Sequence, residues 1–393
     1  MKTLDSRLQS LQQKINHGDE PVKVMIMGLG SVGTYLLDYL VSLADSRLEL
    51  IVCGRNVEKM TSDVNIVRTA ATIRRQCRSR IVIDTVDLDD VDSISEVLKR
   101  HNPDFLVNTS RVYSGLKYGS ISWHNLRAYG IWTPLSVKYA ANIVRAIIES
   151  DVQPISINTS YSDAVIPWIK SALGTTFDFG SGNLNHLIPR MKFHIAGKYD
   201  IDNLNDIDIT LAVSHFHDVV ISKEGHSEGQ EIPVSVKVKG EPLDVDVEEM
   251  LRECAIAMPT DQKRNMMNAS SNFDIIHSIL TALRDGISVK LHVPGVEGEI
   301  GGYPYIIDAT STPRGYFDTS AFPMEWMRSA NRRSIYCDGI ENVADGKLHY
   351  TPELRHKVKE VFGVELPSGF SLDESPKVAE LLINEIINPS IAR

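Results

Sequence analysis

The sequence predicts an α/β fold in which a doubly wound parallel sheet is followed by a mixed α+β second domain. Short apolar strands alternate with helical patterns up to about residue 160, as in a parallel sheet covered by helices. The first strand runs directly into a glycine-rich turn that opens a helical pattern. Past residue 200, two predicted antiparallel strands, the second with period-two alternation, are followed by helices and further strands. With 393 residues, the chain is long enough for two domains with their own cores.

A separate N-terminal helix is predicted for residues 1–20. Leu4, Leu8, Leu11 and Ile15 recur with the spacing of an amphipathic helix. We expect this apolar stripe to dock on the rest of the chain, with docking on a partner subunit as the alternative.

Two domains are predicted to follow, the parallel-sheet domain at 21–178 and an α+β domain for substrate binding and oligomerisation at 179–393. In the first, strands are predicted at 22–28, 48–53, 80–85, 104–109 and 154–159, and helices at 31–44, 57–77, 90–101 and 133–150. In the second, strands are predicted at 206–222, 231–240, 287–295 and 303–310, and helices at 244–258, 270–285, 352–362 and 375–388.

The glycine-rich turn has the spacing G-x-G-x-x-G between a predicted strand and a predicted helix. In this setting the first glycine permits a tight turn, the second lets a pyrophosphate approach the backbone, and the third lets helix and strand pack closely. The N–H groups at the helix N-terminus then face the phosphates. We therefore predict a Rossmann domain that binds a dinucleotide, with a purely structural turn as the alternative. The cofactor-binding residues predicted here are Gly28, Gly30, Ser31, Val32 and Gly33.

The end of the second strand indicates which dinucleotide binds. NAD sites usually carry an acidic residue there for the ribose 2′-OH, whereas an arginine can accommodate a 2′-phosphate. This chain has Gly54, Arg55 and Asn56. Gly54 leaves room, and the Arg55 guanidinium is a donor suited to phosphate. We predict NADP, with NAD as the alternative if Arg55 is a solvated surface residue and the acid comes from elsewhere.

Polar residues follow two later strands of the predicted sheet. Ligands of doubly wound sheets bind outside the carboxyl ends of the strands. The cofactor-binding residues predicted at this edge are Asn108, Thr109, Ser110 and Asn158. The substrate-binding residues predicted there are Arg111, Tyr113 and again Asn158.

Charge and composition exclude several classes of protein. The net charge is −10 without a basic stripe, so nucleic acid is not an expected partner. No apolar run reaches the roughly 18 residues of a membrane span, and the N-terminus lacks a signal-peptide pattern. The four cysteines are scattered and form no C-x-x-C pair, which is typical of free thiols in the cytoplasm.

The order of these features resembles the lactate/malate dehydrogenase superfamily, which also contains the NAD-dependent glycosidases. GLGSVG resembles the opening of its cofactor site, and INTSYSD resembles the strand end whose asparagine, here Asn158, contacts nicotinamide and substrate. FGSGNLN resembles the turn that opens its substrate domain, and YPYIIDAT resembles a late strand that returns to the active site. The resemblance implies an oxidoreductase that uses NAD or NADP, acts on a small molecule and forms a homo-oligomer.

The sequence departs from this superfamily where its dehydrogenases carry an Asp, a His and an Arg for catalysis. Asn185 stands at the position of the Asp, and Ile188 at that of the Arg that grips a substrate carboxylate. Arg190 lies two residues further and is a candidate substitute. Without the bidentate grip of the Arg, lactate and malate are not expected substrates.

The counterpart of the catalytic histidine is the stretch Ser-His-Phe-His-Asp, with His215 and His217 as candidates. Histidine suits proton exchange with a substrate oxygen because its ordinary pKa lies near neutrality. On a strand the two histidines would face opposite sides, and we favour His215 because it follows the apolar run most closely. Structural or surface roles for both are the alternative.

The catalytic residues predicted are thus His215, His217 and Asn185, and the further substrate-binding residues are His186 and Arg190. The mobile loop of the superfamily corresponds to SRVYSGLKYGS, where Arg111 and Lys117 offer positive charge. No metal is predicted. An H-x-H pair can bind one, but no third ligand has a persuasive spacing, and Asn158-Thr159 stands where the glycosidases carry a Cys.

The sequence therefore predicts a cytoplasmic oxidoreductase, with NADP favoured, that transfers hydride between the nicotinamide and a polar secondary alcohol or ketone. One alternative is an epimerase or glycosidase-like enzyme that oxidises its substrate transiently with bound NAD(P). The other is a non-catalytic sensor that binds NADP.

Overall fold

A six-stranded parallel sheet organises the first half of the chain. The computed structural model describes residues 2–113, 115, 118–259 and 261–391. Within them the strand order is β3-β2-β1-β4-β5-β6. The strands are β1 Val22–Met27, β2 Leu48–Gly54, β3 Arg80–Thr85, β4 Phe105–Asn108, β5 Ile155–Asn158 and β6 Phe179–Gly180. This doubly wound order confirms the predicted fold class, and its direction reverses between β1 and β4, where a ligand crevice is expected.

The sheet is buried on both faces because alternate side chains of each strand point to opposite sides. Met25 and Met27 of β1 belong to one core, whereas Val24 and Ile26 belong to the other. The first face is covered by α4 Val91–His101, α6 Thr133–Ser150 and α7 Ser162–Leu173. The second face is covered by α2 Ser31–Ser42, α3 Val57–Ile73 and α11 Asn265–Asp285.

The N-terminal helix, α1 Leu4–His17, docks on this first half, as its apolar stripe predicted. Leu8, Leu11 and Ile15 are buried in the second core. Arg7 also forms a salt bridge of 2.5 Å with Asp178, immediately before β6. The helix is therefore tied to the same chain by both apolar and charged contacts.

The second half of the chain is the mixed α+β region that the sequence predicts. Three small antiparallel sheets consist of β7 Ile207–Leu211, β8 Val234–Val238 and β9 Glu241–Leu243; β10 Ser288–Pro294, β11 Gly302–Asp308 and β12 Gly315–Phe317; and β13 Ile340–Ala344, β14 Lys347–Tyr350 and β15 Gly369–Ser371. The remaining helices are α5 Gly119–Asn125, α8 Leu187–Tyr199, α9 His215–Glu224, α10 Val247–Glu253, α12 Met324–Cys337, α13 Pro352–Phe362, α14 Ser375–Leu382 and α15 Asn388–Ile391, with a π-helical turn Ile383–Ile387 before the last.

The strand predicted across 206–222 is wrong beyond Leu211, because α9 occupies most of its second part. The buried side chains of that helix are Phe216, His217, Asp218, Val220 and Ile221. Phe216 and Val220, like His217 and Ile221, are four residues apart, which is helical spacing and not alternation with period two. His215 and His217 therefore lie on the first turn of a helix.

The C-terminal segment after α12 packs on the first half of the chain. Tyr350 and Phe370 pack in the same core as Trp168 of α7.

The helix α12 and the sheet of β13, β14 and β15 were not predicted from the sequence. The division of the chain at residues 178 and 179 stays a prediction. Among the described residues, no helix combines the length and apolarity needed to cross a membrane.

Candidate functional site

The turn between β1 and α2 places different constraints on its three glycines. Gly28 has a φ of 95°, in the left-handed region that favours glycine. A Cβ on Gly33 would lie 2.4 Å from the carbonyl oxygen of Gly28, so only glycine lets α2 pack this closely. A Cβ on Gly30 would meet nothing within 4 Å, and no described side chain caps α2. The turn thus leaves open space beside a helix N-terminus, as a pyrophosphate requires.

The carboxyl end of β2 is followed by an arginine without a salt bridge to any described residue and by an asparagine that caps the next helix. Asn56 Oδ1 accepts a hydrogen bond of 2.9 Å from the Lys59 N–H and so caps α3. Arg55 is exposed and has no salt-bridge partner within the described chain. A Cβ on Gly54 would lie 2.9 Å from Met60 Sδ, so this glycine also permits close packing.

A polar cleft opens at the carboxyl ends of β1, β4 and β5. It is lined by Ser31, Val32, Thr109, Ser110, Ser160 and Tyr161, among others. Asn108 and Asn158 lie behind these residues, fully buried, and Asn108 Nδ2 donates to Asn158 Oδ1 at 2.9 Å. Asn158 Nδ2 donates in turn to Ser162 Oγ at 3.1 Å. The two asparagines tie the strand ends together and do not line the cleft, so their contact with a ligand stays a prediction.

His215, the first residue of α9, lies where this cleft meets a second cavity, because it lines both. Its Nδ1 lies 2.8 Å from Asp338 Oδ2, and its backbone N–H donates to Asp163 Oδ1 at 3.1 Å. The rings of Tyr129 and Tyr161 stand edge-on to the imidazole, each with its centroid 5.0 Å away. Because Asp338 engages Nδ1, Nε2 is the ring nitrogen available to a ligand.

Asp338 is fully buried and held through both its side chain and its backbone. Its Oδ1 accepts from the Tyr129 N–H at 2.7 Å, and its Oδ2 accepts from the Tyr161 hydroxyl at 2.5 Å. Its carbonyl oxygen accepts from the Gly130 N–H at 2.8 Å. The carboxylate that orients His215 therefore follows α12, far in sequence from position 185.

The electrostatic surroundings favour the charged form of His215. Burial alone lowers the pKa of His215, but the charge and hydrogen bond of Asp338 and the charge of Asp163 outweigh it and raise the pKa above its ordinary value. Burial raises the pKa of Asp163, which carries the second nearby carboxyl group. The site is therefore suited to holding a proton on His215 near neutral pH.

The second cavity is cationic. Four side chains that have no salt-bridge partner within the described chain line it: Arg111, Arg190, Lys223 and Arg264. Asp218 is the one acid among its described lining residues, and burial raises the pKa of that carboxyl to about 6. Burial also lowers the pKa of His186, another lining residue, to about 4, so its imidazole is neutral at pH 7.

Several predicted site residues lie away from both cavities. His217 is buried, and its N–H lies 3.4 Å from Ser334 Oγ. Asn185 Nδ2 donates to Asp274 Oδ2 at 3.3 Å. Tyr113 packs against the core of the first half, and Lys117 lies outside the described residues. Of the residues predicted for chemistry or substrate binding, the structure brings together His215, His186, Arg190 and Arg111.

Sequence reasoning missed several residues of the site, namely Asp163, Asp218, Lys223, Arg264 and Asp338. One signal for Asp218 was present in the sequence. His215, Asp218, Val219 and Ser222 all line the second cavity and follow the spacing of one helix face. Reading that stretch as a helix would have placed Asp218 beside His215. No motif surrounds Asp338.

Glu224, His226 and Glu228 form an exposed cluster at the C-terminal end of α9, with ligand atoms within 4.8 Å of one another. Arg127 forms salt bridges with both glutamates. Because these carboxylates already have a cationic partner, the cluster carries no metal assignment.

The fold is that of a Rossmann-type protein with the architecture of the lactate and malate dehydrogenases, which confirms the predicted resemblance at the level of the fold. The chain is similar to the malate dehydrogenase of Aeropyrum pernix, with 15% identity, a TM-score of 0.51 and coverage of 80% of this chain and 97% of that one. It is also similar to the malate dehydrogenase of Cryptosporidium parvum, with 11% identity, a TM-score of 0.52 and coverage of 80% and 97%. A third similar structure is the lactate dehydrogenase of Eimeria maxima with NADH and oxamate, with 12% identity, a TM-score of 0.50 and coverage of 81% and 94%. No sequence-family profile matches the chain, and no curated protein does.

Proposed function

We propose that the protein is an NAD(P)-dependent oxidoreductase that transfers hydride between a nicotinamide and a polar secondary alcohol or ketone. The observation that carries the proposal is the pairing of His215 with Asp338 at the junction of the dinucleotide cleft and the second cavity. A histidine oriented by a carboxylate is the arrangement that proton transfer to a substrate oxygen needs.

The residues of the cleft fit a dinucleotide. The open space at Gly30 accommodates a pyrophosphate at the N-terminus of α2. Ser160 Oγ lines the cleft and is buried without a hydrogen-bond partner among the described residues, so it is free to bond a ligand. The nicotinamide supplies or accepts hydride. We propose NADP because Arg55 is exposed and unpaired, and no acidic residue stands at the end of β2.

His215 would transfer the proton that accompanies hydride transfer. In the reducing direction its Nε2–H donates a proton to the substrate oxygen, and in the oxidising direction neutral Nε2 accepts it. Asp338 holds the ring in place and stabilises its protonated form. Ser160, whose hydroxyl has no partner among the described residues, offers a neutral polar group to the reacting end of the substrate.

A kinetic comparison tests the proposal. We expect the wild type to consume NADPH with a hydroxylated ketone, and His215→Gln to lower kcat by about 10² to 10⁴-fold without weakening NADPH binding. His226→Gln, which changes an exposed histidine two residues after the end of α9, should behave as wild type. Full activity of His215→Gln would contradict the proposal. Substrate turnover without net absorbance change would identify the transient-oxidation alternative.

We also propose that the protein is cytoplasmic and assembles as a homo-oligomer. The four free cysteines support a reducing compartment. Homo-oligomerisation is supported only by the resemblance to the lactate/malate dehydrogenase superfamily. The apolar stripe of α1 gives it no support, because that stripe packs on its own chain. Light scattering after size-exclusion chromatography distinguishes a monomer from an oligomer.

A further inference from the structure

The second cavity holds more positive charge than its one described acid, Asp218, can neutralise. Arg111, Arg190, Lys223 and Arg264 line it, and none has a salt bridge with a described residue. Arg127, by contrast, forms salt bridges with Glu224 and Glu228, so its charge is compensated within the protein. Arg111 and Lys223 are exposed, so water screens their charge, whereas Arg190 is buried and Arg264 is half-buried. The uncompensated charge therefore costs free energy mainly at Arg190 and Arg264, and an anion between them would lower that cost.

The cationic groups repel one another as the structure stands. The pKa of Lys223 is lowered by burial and then by the charge of Arg264. Burial lowers the pKa of Arg190, the charge of Asp218 acts in the opposite direction, and the charge of Arg264 lowers the pKa further. The Lys223 ammonium lies 4.8 Å from the ring centroid of Trp123 and 3.4 Å from the Tyr129 hydroxyl, so its contacts are with neutral groups.

Buried polar atoms without partners also line this cavity. Arg190 is 2% exposed, and its two terminal nitrogens donate to the Cys254 carbonyl at 2.7 Å and to Met258 Sδ at 3.0 Å. Its Nε–H has no partner among the described residues. The same holds for His186 Nε2 and for Asp218 Oδ1, and Asp218 is 5% exposed. Buried polar atoms in folded proteins nearly always find partners, so the Arg190 Nε–H is suited to donating to a bound anion, whereas Asp218 Oδ1 would repel one.

Positively charged side chains are fewer in the cleft on one side of His215 than in the second cavity on its other side. On the side of the glycine turn the described cleft residues are mostly hydroxyls and amides, and Arg111 is the one Lys or Arg among them. Arg190, Lys223 and Arg264 line only the second cavity, and they come from α8, α9 and the start of α11. A ligand that spans both spaces would have a neutral polar end at the cofactor and an anionic end beyond His215.

We propose that the substrate carries a dianionic group distant from its reacting carbon, and that Arg190, Lys223 and Arg264 bind this group. That the bound molecule is a substrate rests on the proposed function, whereas the existence of an anion site does not. A phosphate monoester and a pair of carboxylates both supply two negative charges. At the dianion subsite Asp218 opposes the anion, whereas the three cations attract it.

Calorimetric titration with sulfate, malonate and acetate at constant ionic strength tests the dianion subsite. We expect sulfate and malonate to bind more tightly than acetate. Lys223→Met and Arg264→Gln should each weaken dianion binding by about tenfold, the effect of one charge-assisted hydrogen bond. Asp218→Asn should tighten it, and Arg252→Gln, which changes an exposed arginine of α10 outside the cavity, should leave it unchanged.

The relative affinities distinguish the two sources of the charge, since tighter sulfate binding identifies a phosphate-like group and tighter malonate binding identifies paired carboxylates. The inference is overturned if dianions bind no better than acetate. It is also overturned if Lys223→Met and Arg264→Gln bind sulfate as tightly as the wild type does, because sulfate would then be bound elsewhere, for example at the glycine turn. NADPH is titrated into the same samples. NADPH binding without dianion binding refutes the subsite alone, and dianion binding without NADPH binding refutes the proposed function alone.

Discussion

His215 and Asp338 are 123 residues apart in sequence and 2.8 Å apart in the structure. The sequence suggested His215 through its place after an apolar strand, although the supporting argument from strand alternation was wrong. It did not suggest Asp338, because no spacing rule links a carboxylate to a histidine so far away. Only the packing of α12 against α9 brings the two side chains together.

Asp338→Asn keeps the shape of the side chain and removes its charge. Because that charge raises the pKa of His215, we expect the pKa to fall in the variant. Ketone reduction needs protonated His215, so its rate falls as pH rises through this pKa. The pH profile of kcat/KM should therefore lose activity at lower pH in the variant than in the wild type. An unchanged midpoint would contradict the role of Asp338.

His217 gives a prediction about stability. Burial lowers its pKa to about 4, while in the unfolded chain a histidine titrates near its ordinary value of about 6.5. Between these pH values the unfolded state binds one more proton at this residue, so its contribution to stability is lost as the pH falls. In His217→Leu, the free energy of unfolding measured with urea should depend on pH less steeply than in the wild type, by up to about 1.4 kcal/mol per pH unit. Equal slopes would contradict the burial of a neutral histidine.

Among the elements, the turn from β1 to α2 was the best predicted from the sequence. The bounds of β1 and of the start of α2 follow from an apolar run and a glycine spacing, both of which are local signals. The first turn of α9 was the worst predicted, since a short stretch of mixed apolar and polar residues fits a strand or a helix. The helical spacing in this stretch was a signal for the helix, but its β-branched and aromatic residues also favour a strand, and tertiary packing decided between them.

Two glycine variants separate cofactor binding from folding. Gly33→Ala should lower the free energy of unfolding by about 1–3 kcal/mol, because its Cβ would lie 2.4 Å from the Gly28 carbonyl oxygen. Gly30→Ala should leave stability nearly unchanged, since its Cβ meets nothing within 4 Å, but it should weaken NADPH binding by filling that space. Thermal unfolding and fluorescence titration measure the two effects. Undiminished NADPH binding by Gly30→Ala would exclude the turn as the pyrophosphate site.

For the whole molecule, the sequence predicted the fold class, the doubly wound sheet and the N-terminal helix, because these depend on periodic apolar patterns. It did not predict that the segment from 340 to 391 returns to cover α6 and α7. Such a return depends on the complementarity of surfaces formed by distant parts of the chain. The same limit explains why the second cavity, assembled from α8, α9 and α11, was not foreseen.

The central claim is that this fold binds a nicotinamide dinucleotide with its 2′-phosphate at Arg55. The most direct test is titration of NADPH and NADH, separately, into the wild type, Arg55→Ala and the control Arg78→Ala. Arg78 is also an exposed arginine without a salt bridge within the described chain, but it precedes β3 and so lies at the amino ends of the strands, away from the carboxyl end of β2. We predict that NADPH binds the wild type more tightly than NADH does. Arg55→Ala should weaken NADPH binding by about tenfold or more and leave NADH binding unchanged, and Arg78→Ala should change neither. Tighter binding of NADH would contradict the NADP assignment, and binding of neither cofactor would contradict the account as a whole.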